Sequence, residues 1–443
     1  MSNPGSCEAD ARPEPSAPRP RLALAFRVWL RIGILSFGGP AGQIALMHDE
    51  LVDSREWLSE REFMDALSFC MMLPGPEAMQ LATYVGWKLN GTVGGLLAGM
   101  LFVLPGAAVM LALSAGYALW GDVGLVSALF VGIKAAVIVI VFMAMLKISA
   151  RALVSLSNRL IAASAFAGIF FLAVPFPLII LSAALAGFVM GGETRRRTRT
   201  TAAPGVDGEA LSKTLAIVLL WLGIWWLPVF GLWVAGHDLL VEIGIFFSKL
   251  AVVTFGGAYA VLAYLGQDVV LQYGWLTTDE MMAGLGLAET TPGPLILVTE
   301  LVGFLAAFRQ GGLGYGIAGA ATALWTTFAP CFLWILAGAP YIHWLCSRQR
   351  LNRALSAIAA AVVGVILNLS IWFALHVFFG AVEAVSVGPF VLWRPELSTL
   401  NTESILLALL CALAALCFKW GTGRIILLAG TGGTALYPLA GLS

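Results

Sequence analysis

The sequence predicts an all-α integral membrane protein: a polytopic helical bundle of two homologous halves, read as inverted repeats, with helices broken at Pro-Gly-Pro motifs. Three observations carry this expectation. Hydrophobic residues fill 60% of the 443 positions and charged residues only 11%, whereas a soluble domain has roughly a quarter of its residues charged. The chain therefore lacks the charge to cover a water-facing surface of its size, and a lipid bilayer is its expected surrounding. Runs such as 123–145, 161–174 and 405–418 are almost free of charge, and a bilayer span needs ~20 predominantly apolar residues. Finally, the chain repeats itself.

Taken in order, residues 1–21 are rich in Pro, Ala and Arg and read as a disordered cytoplasmic tail, with Arg12, Arg19 and Arg21 holding it inside. The N-terminal repeat spans 22–191, with apolar blocks near 22–40, 63–88, 92–120, 122–147 and 160–191. Pro175 and Pro177 divide the last of these into two short helices. Residues 192–212 form a linker whose Arg195, Arg196, Arg197 and Arg199 place it in the cytoplasm. A connecting transmembrane segment at 213–239 leads to the C-terminal repeat, 240–443, with blocks near 240–265, 281–308, 312–338, 354–380, 403–418 and 422–440. About 10 to 13 spans are expected.

An offset of 218 positions aligns Phe37-Gly38-Gly39 with Phe255-Gly256-Gly257, Trp57-Leu58 with Trp275-Leu276, Glu62 with Glu280, and Pro74-Gly75-Pro76 with Pro292-Gly293-Pro294. Between Ser36 and Pro76, 13 of 41 positions are identical without a gap, where chance at ordinary residue frequencies supplies roughly two or three. The loop after the first double glycine carries Arg55 and Arg61, whereas its counterpart from Gln267 to Glu280 has no Lys or Arg. The positive-inside bias then puts the loops on opposite sides, which is the basis for expecting inversion.

Each half contains two places where a helix must break: Ser36-Phe37-Gly38-Gly39 then Pro74-Gly75-Pro76, and Thr254-Phe255-Gly256-Gly257 then Thr290-Thr291-Pro292-Gly293-Pro294. Proline removes a donor and glycine permits unusual dihedrals. Irregular backbone at membrane depth survives only where it is buried in protein or lines a wet cavity. Matched broken helices in two repeats are the sequence pointer to a carrier's substrate site, and a helix N-terminus favours an anion. Ser36, Thr254, Thr290 and Thr291 add hydroxyl donors, while Arg31, Lys88 and Lys249 are candidate counter-charges and Arg27 and Arg309 lie nearby. Arg31 and Lys249 match in the repeat. Glu50, Glu77, Glu289 and Glu300 are candidates for proton or charge coupling. Ser59-x-x-Glu62 and Thr277-x-x-Glu280 read as capping boxes, and Trp57 and Trp275 as interfacial anchors.

Other classes are disfavoured. A net charge of zero gives no support to a nucleic-acid partner. The six cysteines and four histidines show no metal-ligand spacing, and no cofactor is implied. Gly314-x-Gly316-x-x-Gly319 matches the dinucleotide fingerprint, but no strand precedes it; with Gly95-x-x-x-Gly99 it reads as close helix packing. Gly430 to Thr434 lacks a phosphate-loop lysine, and no catalytic triad or metal-hydrolase set is present, so no enzyme is expected.

The order Phe37-Gly38-Gly39-Pro40, an acidic loop with Trp57-Leu58, and Pro74-Gly75-Pro76 with Gln80 and Gly86 resembles the chromate ion transporter family. The second copy, and the stretch from Pro330-Cys331-Phe332 to Ala339-Pro340-Tyr341, resembles that family's C-terminal domain. The resemblance covers roughly 22–440. It implies two chromate-transport domains in a bacterial inner membrane and efflux of chromate, with sulfate as a structural mimic; a homodimer is an admissible assembly.

Overall fold

The computed structural model describes residues 20–121, 123–190, 208–255, 258–342, 348–388 and 390–440. The expectations for most of the tail and of the linker, and for Gly256 and Gly257, lie outside the described residues.

The first half opens with α1 (Leu22–Leu35), stopped at Ser36, and α2 (Gly39–His48) restarts from Gly38 in the left-handed region. A π-helical turn, Asp49–Asp53, leads into a loop and then α3 (Glu60–Cys70), which begins on the expected Ser59/Glu62 capping box. Pro-Gly-Pro separates α3 from α4 (Glu77–Trp120). Then come α5 (Gly124–Ala152), α6 (Leu156–Leu172), α7 (Phe176–Met190) and the connecting α8 (Gly208–Val234). Pro175 and the left-handed Ala173 split α6 from α7, as the prolines predict. The pattern then recurs as α9 (Asp238–Val253), α10 (Ala258–Gln267), a π turn at Asp268–Gln272, and α11 (Thr278–Thr290), which opens on the Thr277/Glu280 box. A 3₁₀ turn, Leu295–Leu297, introduces α12 (Val298–Gly338). The chain closes with α13 (Gln349–Phe378), α14 (Thr402–Leu416) and α15 (Thr422–Ala440).

α4 and α12 are each hairpins rather than rods. Asn90 and Gly91 have φ/ψ of −132°/23° and 66°/−161°, and Gly311 and Gly312 reproduce them at −140°/15° and 68°/−160°. A positive φ with ψ near 180° is open essentially to glycine alone. Beyond these reversals the helix folds back, so that a Cβ on Gly303 would lie 2.5 Å from the carbonyl oxygen of Gly319. Sixteen residues of straight helix would hold those positions about 24 Å apart. The reversals are 221 residues apart, three more than the offset of the breaks, and the Leu295–Leu297 turn holds the extra three. Glu77–Leu89 is thus a half-span of about 20 Å, and Thr92–Trp120 is long enough to cross.

Among the described residues, five helical stretches are long and apolar enough to cross a membrane: Glu77–Trp120, Gly124–Ala152, Ser212–Val234, Leu295–Tyr341 and Gln349–Phe378. α8 is the most lipid-like of them, with Leu219, Leu227, Phe230 and Trp233 exposed and Trp225 tied to the Ser248 hydroxyl at 3.1 Å.

The halves do not pack as separate units. α5 of the first half lies against α14 and α15 of the second, while α13 lies against α6 and α7 of the first. Small residues set these approaches: a Cβ on Gly132 would meet the Ala429 carbonyl oxygen, and one on Gly364 that of Ala162. The 22–191 and 240–443 repeats are therefore units of sequence, interleaved in space. Beside them stands one element outside the all-α expectation, an exposed antiparallel hairpin of β1 (Val382–Val387) and β2 (Phe390–Pro395). Its β-branched valines at 382, 385 and 387 suit extended backbone.

Candidate functional site: the junction of four helix breaks

The two halves meet where their helices break. The Gly75 N–H donates to the carbonyl of Thr254 at 2.8 Å, and the Gly293 N–H donates to the carbonyl of Ser36, also at 2.8 Å. Each Pro-Gly-Pro turn is thus bound to the end of the opposite half's first helix, and the exchange is reciprocal. Gly75 (φ 119°) and Gly293 (φ 86°) hold the conformations that present these N–H groups. Each break of one half is thus paired with a break of the other, and within the second half the Tyr259 hydroxyl, just past the first break, donates at 2.9 Å to Glu289, just ahead of the second.

Two glutamines brace the junction. Gln43 is buried and donates to the Gly293 carbonyl at 2.5 Å and, more weakly, to that of Ser36 at 3.5 Å. Gln80 donates to the Pro74 carbonyl at 2.6 Å, and its own amide oxygen is buried without a partner. Gln43 has no polar counterpart at Val261, so the repeat comparison gave no signal for it. A lone glutamine in an apolar run, seven residues past a break, is the signal that could have found it.

The four hydroxyls expected to face an anion donate instead to their own helices: Ser36 to Ile32, Thr254 to Leu250, Thr290 to Leu287 and Thr291 to Ala288. A hydroxyl carries one proton, and an adjacent i−3 or i−4 carbonyl is the nearest acceptor for it. What remains for an anion is backbone N–H. Here the breaks differ. α2 starts at an N-cap Gly38 without a side-chain cap and with no acid in its first turn, and Phe37 and Gly38 are exposed. Like α2, α10 has no acid in its first turn. α4 and α12 carry Glu77 and Glu300 in theirs. A carboxylate there already occupies the positive end of the helix dipole.

The acids are held differently. Glu50 is buried between Arg31, at 3.4 Å, and Arg55, which also donates to its carbonyl. Glu289 accepts from the Tyr259 hydroxyl at 2.9 Å, a bond between the start of α10 and the end of α11. Glu300 is buried with Oε2 unpartnered. Glu77 is half-buried at the first position of α4.

Lys88 is not at the junction. Its ammonium binds Glu62 at 2.6 Å, beside the α3 cap, and in the second half Arg309 binds Glu280 in the same way. This pair keeps α3 and α11 docked on the helices that follow them. Arg309 also donates to the Trp275 carbonyl. Trp275 itself is buried against Phe246 and Tyr273. Arg55, taken as a loop cation in the case for inversion, is committed to Glu50.

In the loops outside the spans, His48 binds Glu60 at 2.6 Å and Asp53 at 3.1 Å, and chiefly the Glu60 hydrogen bond raises its pKa above the usual histidine value. Asp268, the counterpart of Glu50, has no arginine at Tyr273 where the first half has Arg55. Burial pushes its carboxyl up to about 6, and a hydrogen bond from Tyr264 opposes the shift. Among the described residues no group of acids, histidines and cysteines could hold a metal.

The family model described as "Chromate transporter" matches residues 23–188 and 241–435. Relatives include a chromate transport protein of Pseudomonas aeruginosa, 31% identical over 81% of this chain and 82% of that protein. A chromate transport protein of Cupriavidus metallidurans is 28% identical over 79% and 82%, and a probable chromate transport protein of Synechococcus elongatus is 28% identical over 76% and 81%. No solved structure matches the chain. With two matched regions covering most of its length and an apolar helical body built of two similar halves, the chain belongs to the chromate transporter family, a family of membrane transport proteins rather than enzymes.

Proposed function

We propose that the protein is a secondary transporter that exports chromate across a bacterial inner membrane, conferring chromate resistance, with its N-terminus and central linker in the cytoplasm and its halves inverted relative to one another. The reading is supported by the family and by one structural observation, the reciprocal hydrogen bonding of the two Pro-Gly-Pro turns to the opposite helix ends. Those contacts pair each break of one half with a break of the other, the Tyr259–Glu289 bond links the two pairs, and matched broken helices are where carriers bind substrate. The anion rests against the acid-free N-termini of α2 and α10, near Phe37, Gly38 and Gly39 and near Phe255, with Arg31, one turn ahead of Ser36 on α1, as a counter-charge.

Outward movement needs no ATP. A dianion leaving an inside-negative cell gains about 4–5 kcal/mol per 100 mV, which supports a gradient of roughly a few thousandfold. Proton exchange adds to this if an acid at the junction charges and discharges during the cycle. Glu300, whose Oε2 has no partner, is the acid placed to take a proton, with Glu289 and Glu77 next to the breaks.

Everted membrane vesicles should accumulate radiolabelled chromate in response to a potential, and Arg31→Ala should lose most of that uptake. Uptake unchanged by the substitution would remove Arg31 from the site. Sulfate or another tetrahedral oxyanion is the nearest rival substrate. Stronger inhibition of chromate uptake by sulfate than by unlabelled chromate at equal concentration would reassign the transporter to it.

A further inference from the structure

The first helix of each half leaves a charged stripe uncovered. On α1 the exposed positions include Arg27, Arg31, Ile34 and Leu35; on α9 they are Asp238, Glu242, Ile245, Lys249 and Val252. The stripes coincide under the repeat, since Arg27 aligns with Ile245, Arg31 with Lys249 and Ile34 with Val252. Each stripe lines a cleft. One, of about 360 Å³, is walled by Arg27, Leu30, Arg31, Ile34 and Leu35. The other, of about 610 Å³, includes Asp238, Glu242, Ile245, Lys249 and Tyr273. Each stripe runs along its helix to a break, the first to Ser36 and the exposed Phe37-Gly38, the second to Thr254.

A guanidinium or carboxylate on such a stripe needs water, a headgroup or a partner charge, and Arg27 has no ion-pair partner among the described residues. Water in the clefts meets that need, and each stripe ends at a first break of the junction. Their charges are opposite in balance. The α1 cleft carries two cations, of which Arg31 is shared with Glu50, while the α9 cleft carries one cation and two acids.

We infer that these are the two vestibules of the carrier: the α1 cleft collects a doubly charged tetrahedral oxyanion on Arg27 and Arg31, and the α9 cleft, with Asp238 and Glu242 at its lip, releases it and resists its return. The inference rests on the transport reading above. A cleft of one sign concentrates the opposite ion at its mouth and raises its capture rate, and like charge lowers it. Affinity at the junction is then similar from both sides, while capture is not. Arg27 is a positioning residue of the entrance and takes no part in the junction itself.

The experiment uses the full-length protein in everted and right-side-out vesicles, so that chromate meets one face at a time. Arg27→Gln should raise the KM for chromate by roughly three- to tenfold from one face only, at unchanged maximal rate, with the difference erased by high salt. Arg27→Lys should restore the wild-type KM. Asp238→Asn combined with Glu242→Gln should lower the KM from the opposite face by a similar factor. An unchanged KM for Arg27→Gln at both faces, or an equal change at both, overturns the vestibule assignment while leaving the carrier in place. If the wild-type protein moves neither chromate nor sulfate from either face, the transport reading itself falls and takes the vestibules with it.

Discussion

The first half of the molecule neutralises its buried loop acid with arginines, and the second half packs the same position against tyrosines, where burial raises the carboxyl's pKa. Glu50 sits between Arg31 and Arg55; Asp268, 218 residues on, has Tyr264 and Tyr273 around it and titrates near 6. The backbone of the two regions is otherwise shared: a π turn after the second helix, a capping box, a Pro-Gly-Pro turn, and a glycine reversal with matching dihedrals. The lesson is that duplication has kept the hydrogen-bonding geometry that builds the junction and freed the charges around it.

The largest test of that comparison is steric. A Cβ on Gly75 would lie 2.8 Å from Gln80 Nε2 and 2.9 Å from Cys331 Sγ, whereas one on Gly293 would meet nothing nearer than 3.3 Å. Both positions also need positive φ. Gly75→Ala should therefore abolish chromate transport and lower folded yield, while Gly293→Ala should retain part of both. Equal loss would show that the dihedral alone decides. Next in size is Glu50→Gln, which removes the buried charge that Arg31 and Arg55 share; both arginines keep access to solvent, so the cost should be about 1–3 kcal/mol, visible as a fall in melting temperature in detergent.

Asp268→Asn should do the opposite. A folded-state pKa near 6, above the ordinary aspartate value, means that folding favours the protonated form. The folded state therefore loses stability as pH rises from about 4 through 6 and stays lower above that. The asparagine variant should melt higher than wild type at pH 7.5, by the equivalent of about 1–3 kcal/mol, and no higher at pH 4. A smaller effect belongs to His48, whose raised pKa reflects its contacts with Glu60 and Asp53. Its contribution is present below pH 6.5 and is lost as pH rises through the higher folded value. His48→Gln should narrow the stability difference between pH 6 and pH 8.5, and an unaltered difference would show that these contacts contribute nothing. Smallest are the Lys88–Glu62 and Arg309–Glu280 pairs, each worth at most about 1 kcal/mol at an exposed site; a double-mutant cycle on each should return similar small couplings.

Much of this was legible before the structure. Hydropathy and charge scarcity identify lipid as the solvent, because no other surrounding suits so few charges. The matched Gly and Pro residues locate the helix ends at Ser36, Pro74, Thr254 and Pro292, since those residues alter backbone options locally and need no partner to do so, though not the reversals at Gly91 and Gly312. The Ser59 and Thr277 capping boxes follow from the same local chemistry. Side-chain roles were less accessible. Ser36, Thr254, Thr290 and Thr291 looked like free donors, yet each spends its proton on a carbonyl one helical turn back. Lys88 looked like a site cation, yet Glu62 is within reach only once the chain has folded.

The sequence by itself determined the membrane class, the duplication and the positions of the breaks, because composition, periodicity and proline and glycine stereochemistry act within a few residues. Only the tertiary structure decided that the breaks of one half bind those of the other, that the halves interleave through α5 and α13, and which acids are neutralised. The first two outcomes depend on pairings between residues some 180 to 300 positions apart, and Glu50 is neutralised from 5 and 19 positions away; nothing in the local sequence encodes which of many such pairings the packed chain selects.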